Sequence, residues 1–260
     1  MKDLKDYTLL ITGAAGGNGF GIASICINYF KKIILIDRDE ITLDRSISIL
    51  REIIDSKNLD CELKKHLADL SDFKSRSKLI HEIKSTYTEI HCIVNNAGVS
   101  LFPKDEGSFN EKLDVWNYTI ETNLTAPFHL ISELNKLLPD KLGTIINITS
   151  LNSTLAFPNN PSYMSSKGGL RQLTLSFAKD LSSRGIRVNA IAPGYIKTNM
   201  TLKSWENLET REARTNRTML GRWGEPSDLG GTVCFLASNI SSYITGQEIY
   251  IDGGWSSKGL

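Results

Sequence analysis

A short apolar run, Thr8-Leu9-Leu10-Ile11-Thr12, passes without a break into Thr12-Gly13-Ala14-Ala15-Gly16-Gly17-Asn18-Gly19. Eighteen positions after Gly19, a second apolar run from Ile33 ends on Asp37. The first run reads as a buried strand, the stretch from about Gly19 to Tyr29 as a helix, and Ile33 to Asp37 as a second strand, which makes a βαβ unit. Strands that are apolar along their whole length have no side to give to water, so they imply a sheet covered on both faces. The alternation continues. It predicts helices from about Leu43 to Ser56 and Phe73 to Thr86, with strands near Cys61 to Leu67 and Ile90 to Val94. A long helix across Leu113 to Leu138, a strand Thr144 to Ile148, a helix from Tyr163 towards Leu181 and a strand Ile186 to Ile191 follow. This is the pattern of the α/β class with a doubly wound, Rossmann-type parallel sheet.

With 260 residues, 40% of them hydrophobic, the chain can bury one sizeable core. No Pro/Ser-rich linker or repeat interrupts it, so a single domain over 1–260 is expected. Tyr195 to Gly224 is polar and poorly periodic, and its place after a strand predicts a mobile flap over a site. Thirty basic against twenty-nine acidic side chains leave no field to draw the chain to nucleic acid or an anionic membrane. The expected partner is therefore a small molecule. Cys26, Cys61, Cys92 and Cys234 form no C-x-x-C pair, and His66, His81, His91 and His129 have no metal-ligand spacing. No metal site is expected, and free thiols fit a reducing cytosol. The charged start and the short apolar run after it match neither a signal segment nor a membrane span, so a soluble, cytoplasmic protein is expected.

The glycine turn between strand and helix lets backbone N–H groups approach a pyrophosphate at the positive helix end, and alone it could equally be a tight turn. Asp37 adds context, because a carboxylate closing the second strand can accept bonds from adenosine ribose hydroxyls and repel a 2′-phosphate. That favours NAD over NADP, although Arg38 could hold a phosphate and Asp37 could simply cap a loop. Further along, Tyr163 and Lys167 stand four apart on a helix, on one face, with Ser150 thirteen positions upstream of Tyr163. A free phenol has a pKa near ~10, and an adjacent ammonium favours the phenolate, which makes a tuned acid/base. Ser150 could instead satisfy backbone in a loop.

These residues resemble the short-chain dehydrogenase/reductase family in its compact oxidoreductase form, over nearly the whole chain. Thr12-Gly13-x-x-x-Gly17-x-Gly19 is similar to the family's cofactor turn, with Asn18 where an aliphatic residue is usual. Asp69-Leu70 resembles the pair that meets the adenine, and Asn95-Asn96-Ala97-Gly98 the turn that supports the sheet and the nicotinamide-side ribose. Ser150, Tyr163 and Lys167 match the catalytic serine, tyrosine and lysine, and Asn123 the helix asparagine that organises a proton-relay water. Pro193-Gly194-x-x-x-Thr198 is similar to the segment that orients the nicotinamide carboxamide, which makes Ile196 and Thr198 cofactor contacts. The resemblance implies that Ser150 and Tyr163 meet the substrate and that the chain forms a homotetramer or homodimer. It implies NAD(P)-dependent interconversion of a secondary alcohol and a ketone.

The tail from Gly221-Arg222-Trp223-Gly224 to Asp252-Gly253-Gly254 looks like both sugar-acid or polyol dehydrogenases and 3-oxoacyl-(acyl-carrier-protein) reductases, and the first of these is favoured. Nucleotide-sugar epimerases and dehydratases have one residue fewer between the first glycines and a longer C-terminal domain. A non-catalytic NAD-binding scaffold would not need the complete Ser150, Tyr163 and Lys167 set. Phe102, Leu151, Asn152, Leu155, Phe157, Tyr195 and the stretch 201–217 are expected to shape the substrate pocket. In the flap, Lys197, Lys203, Arg211, Arg214, Arg217 and Arg222 outnumber Glu206, Glu209 and Glu212. Either an arginine there grips a carboxylate or phosphate of the substrate, or the cations pair with the glutamates along a helix in water.

Overall fold

The computed structural model describes residues 2–102 and 107–259. Seven strands form one parallel sheet: β1 (Thr8–Thr12), β2 (Lys32–Asp37), β3 (Glu62–Leu67), β4 (Cys92–Asn95), β5 (Thr144–Ile148), β6 (Arg187–Pro193) and β7 (Glu248–Ile251). Their order is β3-β2-β1-β4-β5-β6-β7, so the chain reverses its direction of travel across the sheet between β1 and β4. In a sheet of this kind, ligands bind at that switch point, beyond the carboxyl ends of the strands. β1, β4, β5 and β6 are buried almost throughout, and the polar residues within them, such as Asn95, Asn147 and Asn189, are buried with hydrogen-bond partners. One apolar cluster, including Leu9, Ile22 and Val233, fills one face, and another, including Leu10, Leu79 and Leu130, fills the other. The doubly wound α/β reading therefore agrees with the architecture.

The helices on these faces are α1 (Gly17–Cys26), α2 (Glu40–Ser56), α3 (Phe73–Thr86), α4 (Phe109–Ile120), α5 (Ala126–Leu134), α6 (Pro161–Asp180) and α9 (Gly230–Ala237). Their starts are written locally. Asp39, Asp72 and Asn160 accept the N–H groups of Thr42, Ser75 and Tyr163, and Ser108 closes a reciprocal box with Glu111.

One expectation needs correction. The long helix from Leu113 to Leu138 is not continuous: between α4 and α5, Glu121–Thr125 form a π turn, with the Ala126 N–H returning to the Glu121 carbonyl. Pro127 explains it, since proline has no N–H to return to the Asn123 carbonyl four residues back and its ring clashes with that carbonyl. The 195–224 segment contains the short helices α7 (Leu202–Glu206) and α8 (Leu208–Arg217), with Asn207 capping α8 through the Thr210 N–H. Its periodicity was hidden because α8 buries no residue at all. Among the described residues, no helix is long and apolar enough to cross a membrane, and no cluster of metal-ligating side chains occurs.

Candidate active site

Ser150 follows the end of β5, Tyr163 and Lys167 stand one turn apart on α6, and all three line a single cavity of about 670 Å³. Asn18, Asn96, Gly98, Ile196 and Thr198 line it as well, from the ends of β1, β4 and β6. Lys167 is 3% exposed, and its ammonium donates to the Ile148 carbonyl at 2.7 Å, which leaves two N–H groups for other acceptors. Its Nζ lies 5.7 Å from the centre of the Tyr163 ring. Burial pushes the Tyr163 phenol up, with a hydrogen bond to Ser150 pulling it back, and burial lowers the Lys167 ammonium to about 8. In the protein alone, then, desolvation outweighs the benefit that the lysine was expected to bring to the phenolate. Ser150 Oγ also accepts the Asn152 N–H at 3.2 Å.

Asn123 sits fully buried in the π turn. Its Oδ1 accepts the Val99 N–H at 2.8 Å, while Nδ2 donates to the Val99 carbonyl and to Ser166 Oγ at 2.9 and 3.0 Å. The amide therefore braces the β4 loop against α6 and does not bond to Lys167. A Cβ on Gly98 would come within 3.2 Å of Asn123 Oδ1 and 3.4 Å of Lys167 Nζ, so this glycine keeps the space between the two open.

A second cavity, of about 130 Å³, is lined by Gly13, Asp37, Arg38, Asp69 and Leu70, and Gly98 borders both cavities. Together they can take the two ends of a dinucleotide, and the residues fit one. Gly19 allows the approach, since a Cβ there would sit 2.1 Å from the Gly13 carbonyl oxygen, and Gly17 turns the chain at φ +50°. No side chain caps the N-terminus of α1, which leaves its first-turn N–H groups to an anion. Asn18 Oδ1 is buried with no partner, an orphan that a ligand donor would satisfy. Asn96 donates to the carbonyls of Thr12 and Gly13 and so locks β4 to the turn.

Asp37 caps its loop and also keeps a place at a cavity. Its carboxylate accepts the N–H groups of Ala15, Arg38 and Asp39 at 2.9, 2.7 and 3.1 Å, which is loop capping, and it still borders the smaller cavity. A carboxylate takes about four hydrogen bonds, so one site remains for a hydroxyl. Burial pushes the Asp69 carboxyl up, but bonds from Ser71 together with Arg38 hold it below its ordinary value. Arg38 reaches across to Tyr118 and Asp69, at the border of this cavity.

The flap cations follow neither expected pattern in full. None of Lys197, Arg211, Arg214 and Arg217 pairs with a carboxylate among the described residues. Instead, Arg214 stacks 4.2 Å from the Tyr195 ring centre, Arg217 4.2 Å from Trp255, and Lys197 and Arg211 at 4.5 and 5.3 Å from Trp205. Only Arg214 of these lines the large cavity. Of the expected pocket residues, Phe102, Leu151, Asn152, Phe157 and Tyr195 line it, and Leu155 does not. Sequence reasoning missed Thr12, whose Oγ1 accepts the N–H groups of Asn96 and Ala97, and Asn160, which caps α6 and donates to Ser100. The Asn before Pro161 was the available signal for Asn160.

One family and three similar proteins bear on this site. Residues 13–256 match a family model described as enoyl-(acyl carrier protein) reductase. A 3-oxoacyl-[acyl-carrier-protein] reductase of Rickettsia bellii is 36% identical over 255 residues, covering 98% of each chain. A protein of Agrobacterium tumefaciens described as a gluconate dehydrogenase superposes with a TM-score of 0.87 at 31% identity, again over 98% of each chain. A gluconate 5-dehydrogenase of Burkholderia cenocepacia, solved with NADP and tartrate, gives 0.84 at 28% identity over 98% of this chain and 97% of that one.

Proposed function

The chain is an oxidoreductase that belongs to the short-chain dehydrogenase/reductase family, and on that premise we propose that it interconverts a secondary alcohol and a ketone on a sugar, sugar-acid or polyol type substrate. The observation that carries this reading is the convergence of Ser150, Tyr163, Lys167 and Arg214 on one cavity. A nicotinamide cofactor bound here would supply or take up the hydride. The glycine turn and the start of α1 would hold its pyrophosphate, Asp37, Asp69 and Leu70 its adenosine end, and Lys167, Ile196 and Thr198 its nicotinamide end.

The chain's own part is proton handling. In reduction Tyr163 Oη gives its proton to the substrate oxygen, and in oxidation Tyr163 as phenolate takes the hydroxyl proton. Ser150 Oγ, whose proton goes to Asn152 Oδ1 at 3.1 Å in the protein alone, would turn it onto the same substrate oxygen, where charge develops. One N–H of Lys167 is fixed on Ile148, and the other two are available to a ribose hydroxyl and to water in the gap that Gly98 leaves beside Asn123. Because burial raises a phenol that is already protonated at neutral pH, the phenolate needs positive charge close by.

Asp37 supports NAD as the cofactor, and Arg38 beside it is the feature that pulls towards NADP. Arg214 supports an acidic substrate, because it brings a guanidinium with no carboxylate partner to the cavity. The second reading, a 3-oxoacyl-(acyl-carrier-protein) reductase, is favoured by the Rickettsia bellii relative. A panel of D-gluconate, a neutral polyol such as sorbitol, and acetoacetyl-coenzyme A, each with both nicotinamides and read by absorbance, separates the readings. Turnover confined to the thioester would remove the sugar-acid reading. Exposed Phe109, Phe128 and Trp116 on α4 and α5 support a homodimer or homotetramer, to be measured by light scattering.

A further inference from the structure

Behind the segment that carries Ser150 lies a carboxylate with all its acceptor positions in use. Glu248 opens β7 with its side chain 7% exposed. Its Oε1 lies 2.6 Å from Thr149 Oγ1 and 2.8 Å from Ser153 Oγ, and its Oε2 lies 3.1 Å from Arg171 Nε and 3.3 Å from Tyr250 Oη. Each hydroxyl has one proton and a rival acceptor, the Ile191 carbonyl for Thr149 and the Ser150 carbonyl for Ser153. Both carbonyls already accept backbone N–H groups, from Thr149 at 2.8 Å and Ser153 at 2.9 Å. The hydroxyl protons therefore go to the anion, which is the stronger acceptor. Thr154 Oγ1, 2.7 Å from Tyr250 Oη, joins the same carboxylate through the tyrosine.

Two hydroxyls of the 149–154 segment thus bond Glu248 directly and a third reaches it through Tyr250, and Ser150, Leu151 and Asn152, which line the cavity, lie between them. Ser150 Oγ is itself tied to Asn152 of the same turn, so its place follows that of the segment. Arg171 stands one turn beyond Lys167 on α6, in the series 163, 167, 171. The carboxylate therefore links the serine's segment to the helix that carries the tyrosine and the lysine.

We propose that Glu248 is a positioning residue for the reaction, fixing Ser150 Oγ relative to Tyr163 from outside the cavity. This rests on the catalytic reading of Ser150 given above. The test combines Glu248→Ala and Glu248→Gln with Ser150→Ala, assayed on D-gluconate or acetoacetyl-coenzyme A, whichever turns over faster. Glu248→Ala is expected to lower kcat about 10- to 100-fold, the order of loss that misplacing a catalytic group by about 1 Å produces. NADH binding, read by fluorescence titration, should stay unchanged. Glu248→Gln, which keeps an acceptor for both hydroxyls, should recover most of the rate. On the Ser150→Ala background, Glu248→Ala should cost nothing further.

Amide hydrogen exchange needs no substrate, and it should quicken at 149–154 in Glu248→Ala and not at the glycine turn. An unchanged kcat, a full additional loss on the Ser150→Ala background, or unaltered exchange at 149–154 would each overturn the proposal. Intact turnover in Ser150→Ala alone would instead sink the catalytic reading of the serine, and hydrogen exchange would still decide whether Glu248 anchors the segment.

Discussion

On one side of the large cavity the wall is made by β4, β5 and α6, and the polar groups in and behind it are tied to backbone: Lys167 to Ile148, Asn160 to the start of α6 and, behind them in the π turn, Asn123 to Val99. On the other side the flap brings in Tyr195 with Arg214 stacked on it, while Lys197 and Arg211 sit on Trp205 away from the cavity, and no helical residue of α7 or α8 is buried. A buried hydrogen bond left unmade costs about 1–3 kcal/mol, whereas an exposed cation–π contact contributes about 0.5–1 kcal/mol. The first wall can therefore hold groups to a fraction of an ångström, and the second can shift at little cost. Proton transfer needs the first, and admitting and selecting a substrate suits the second.

The largest expected effect lies on the fixed wall. Tyr163→Phe should lower kcat about 10³-fold, in the range of general acid–base contributions, with melting temperature and cofactor binding preserved. A mutant with a rate near wild type would break the assignment. The pH profile should follow the same group. Burial raises the phenol, so reduction, which uses the protonated form, should hold at neutral pH and fall only as pH rises through the phenol's pKa. Oxidation, which uses the phenolate, should climb with pH over that range, and Tyr163→Phe should remove the climb.

A smaller effect is expected at the far end of the cofactor site. Asp37→Ala should shift the kcat/KM ratio of NAD to NADP about 10-fold towards NADP, since it removes one charge-assisted hydroxyl bond and a repulsive charge while Arg38 stays. It should also destabilise the fold by about 1–3 kcal/mol, because three N–H groups lose their acceptor, discounted where water can replace it. A wild type that already prefers NADP by a wide margin would refute the ribose role and leave Asp37 a loop cap.

How much of this was legible follows the same division between the walls. The sheet, its doubly wound order and the gathering of Ser150, Tyr163 and Lys167 were readable, because apolar strands and residues four apart on a helix are local patterns. The π turn was readable in principle from Pro127, yet periodicity alone ran the helix through it. Glu248 could not be found, because its partners lie 77 to 99 positions away in Arg171, Ser153 and Thr149 and meet it only once β7 joins β6. In the flap only the charge spacing from Glu206 to Arg217 hinted at a helix, because a helix that buries nothing has no apolar stripe to betray it.

The effect expected on the flap side is confined to one kind of substrate, and there the sequence could not choose between Arg214 and Arg217. Arg214 reaches the cavity, with its guanidinium on the Tyr195 ring, while Arg217 is stacked on Trp255 and does not line the cavity. If the substrate is acidic, Arg214→Gln should raise KM for D-gluconate about 10-fold, the value of one partly solvated charge-assisted bond, and barely alter it for sorbitol. Arg217→Gln should alter neither. Losing the same charge at two neighbouring positions controls for the general field of the flap, so only a direct grip gives this asymmetry. Equal changes for both substrates would mean that Arg214 acts by packing on Tyr195, and equal changes for both arginines would mean that the flap attracts anions without binding them. Either result would leave the fixed wall's assignment intact and remove the charge argument for a sugar acid.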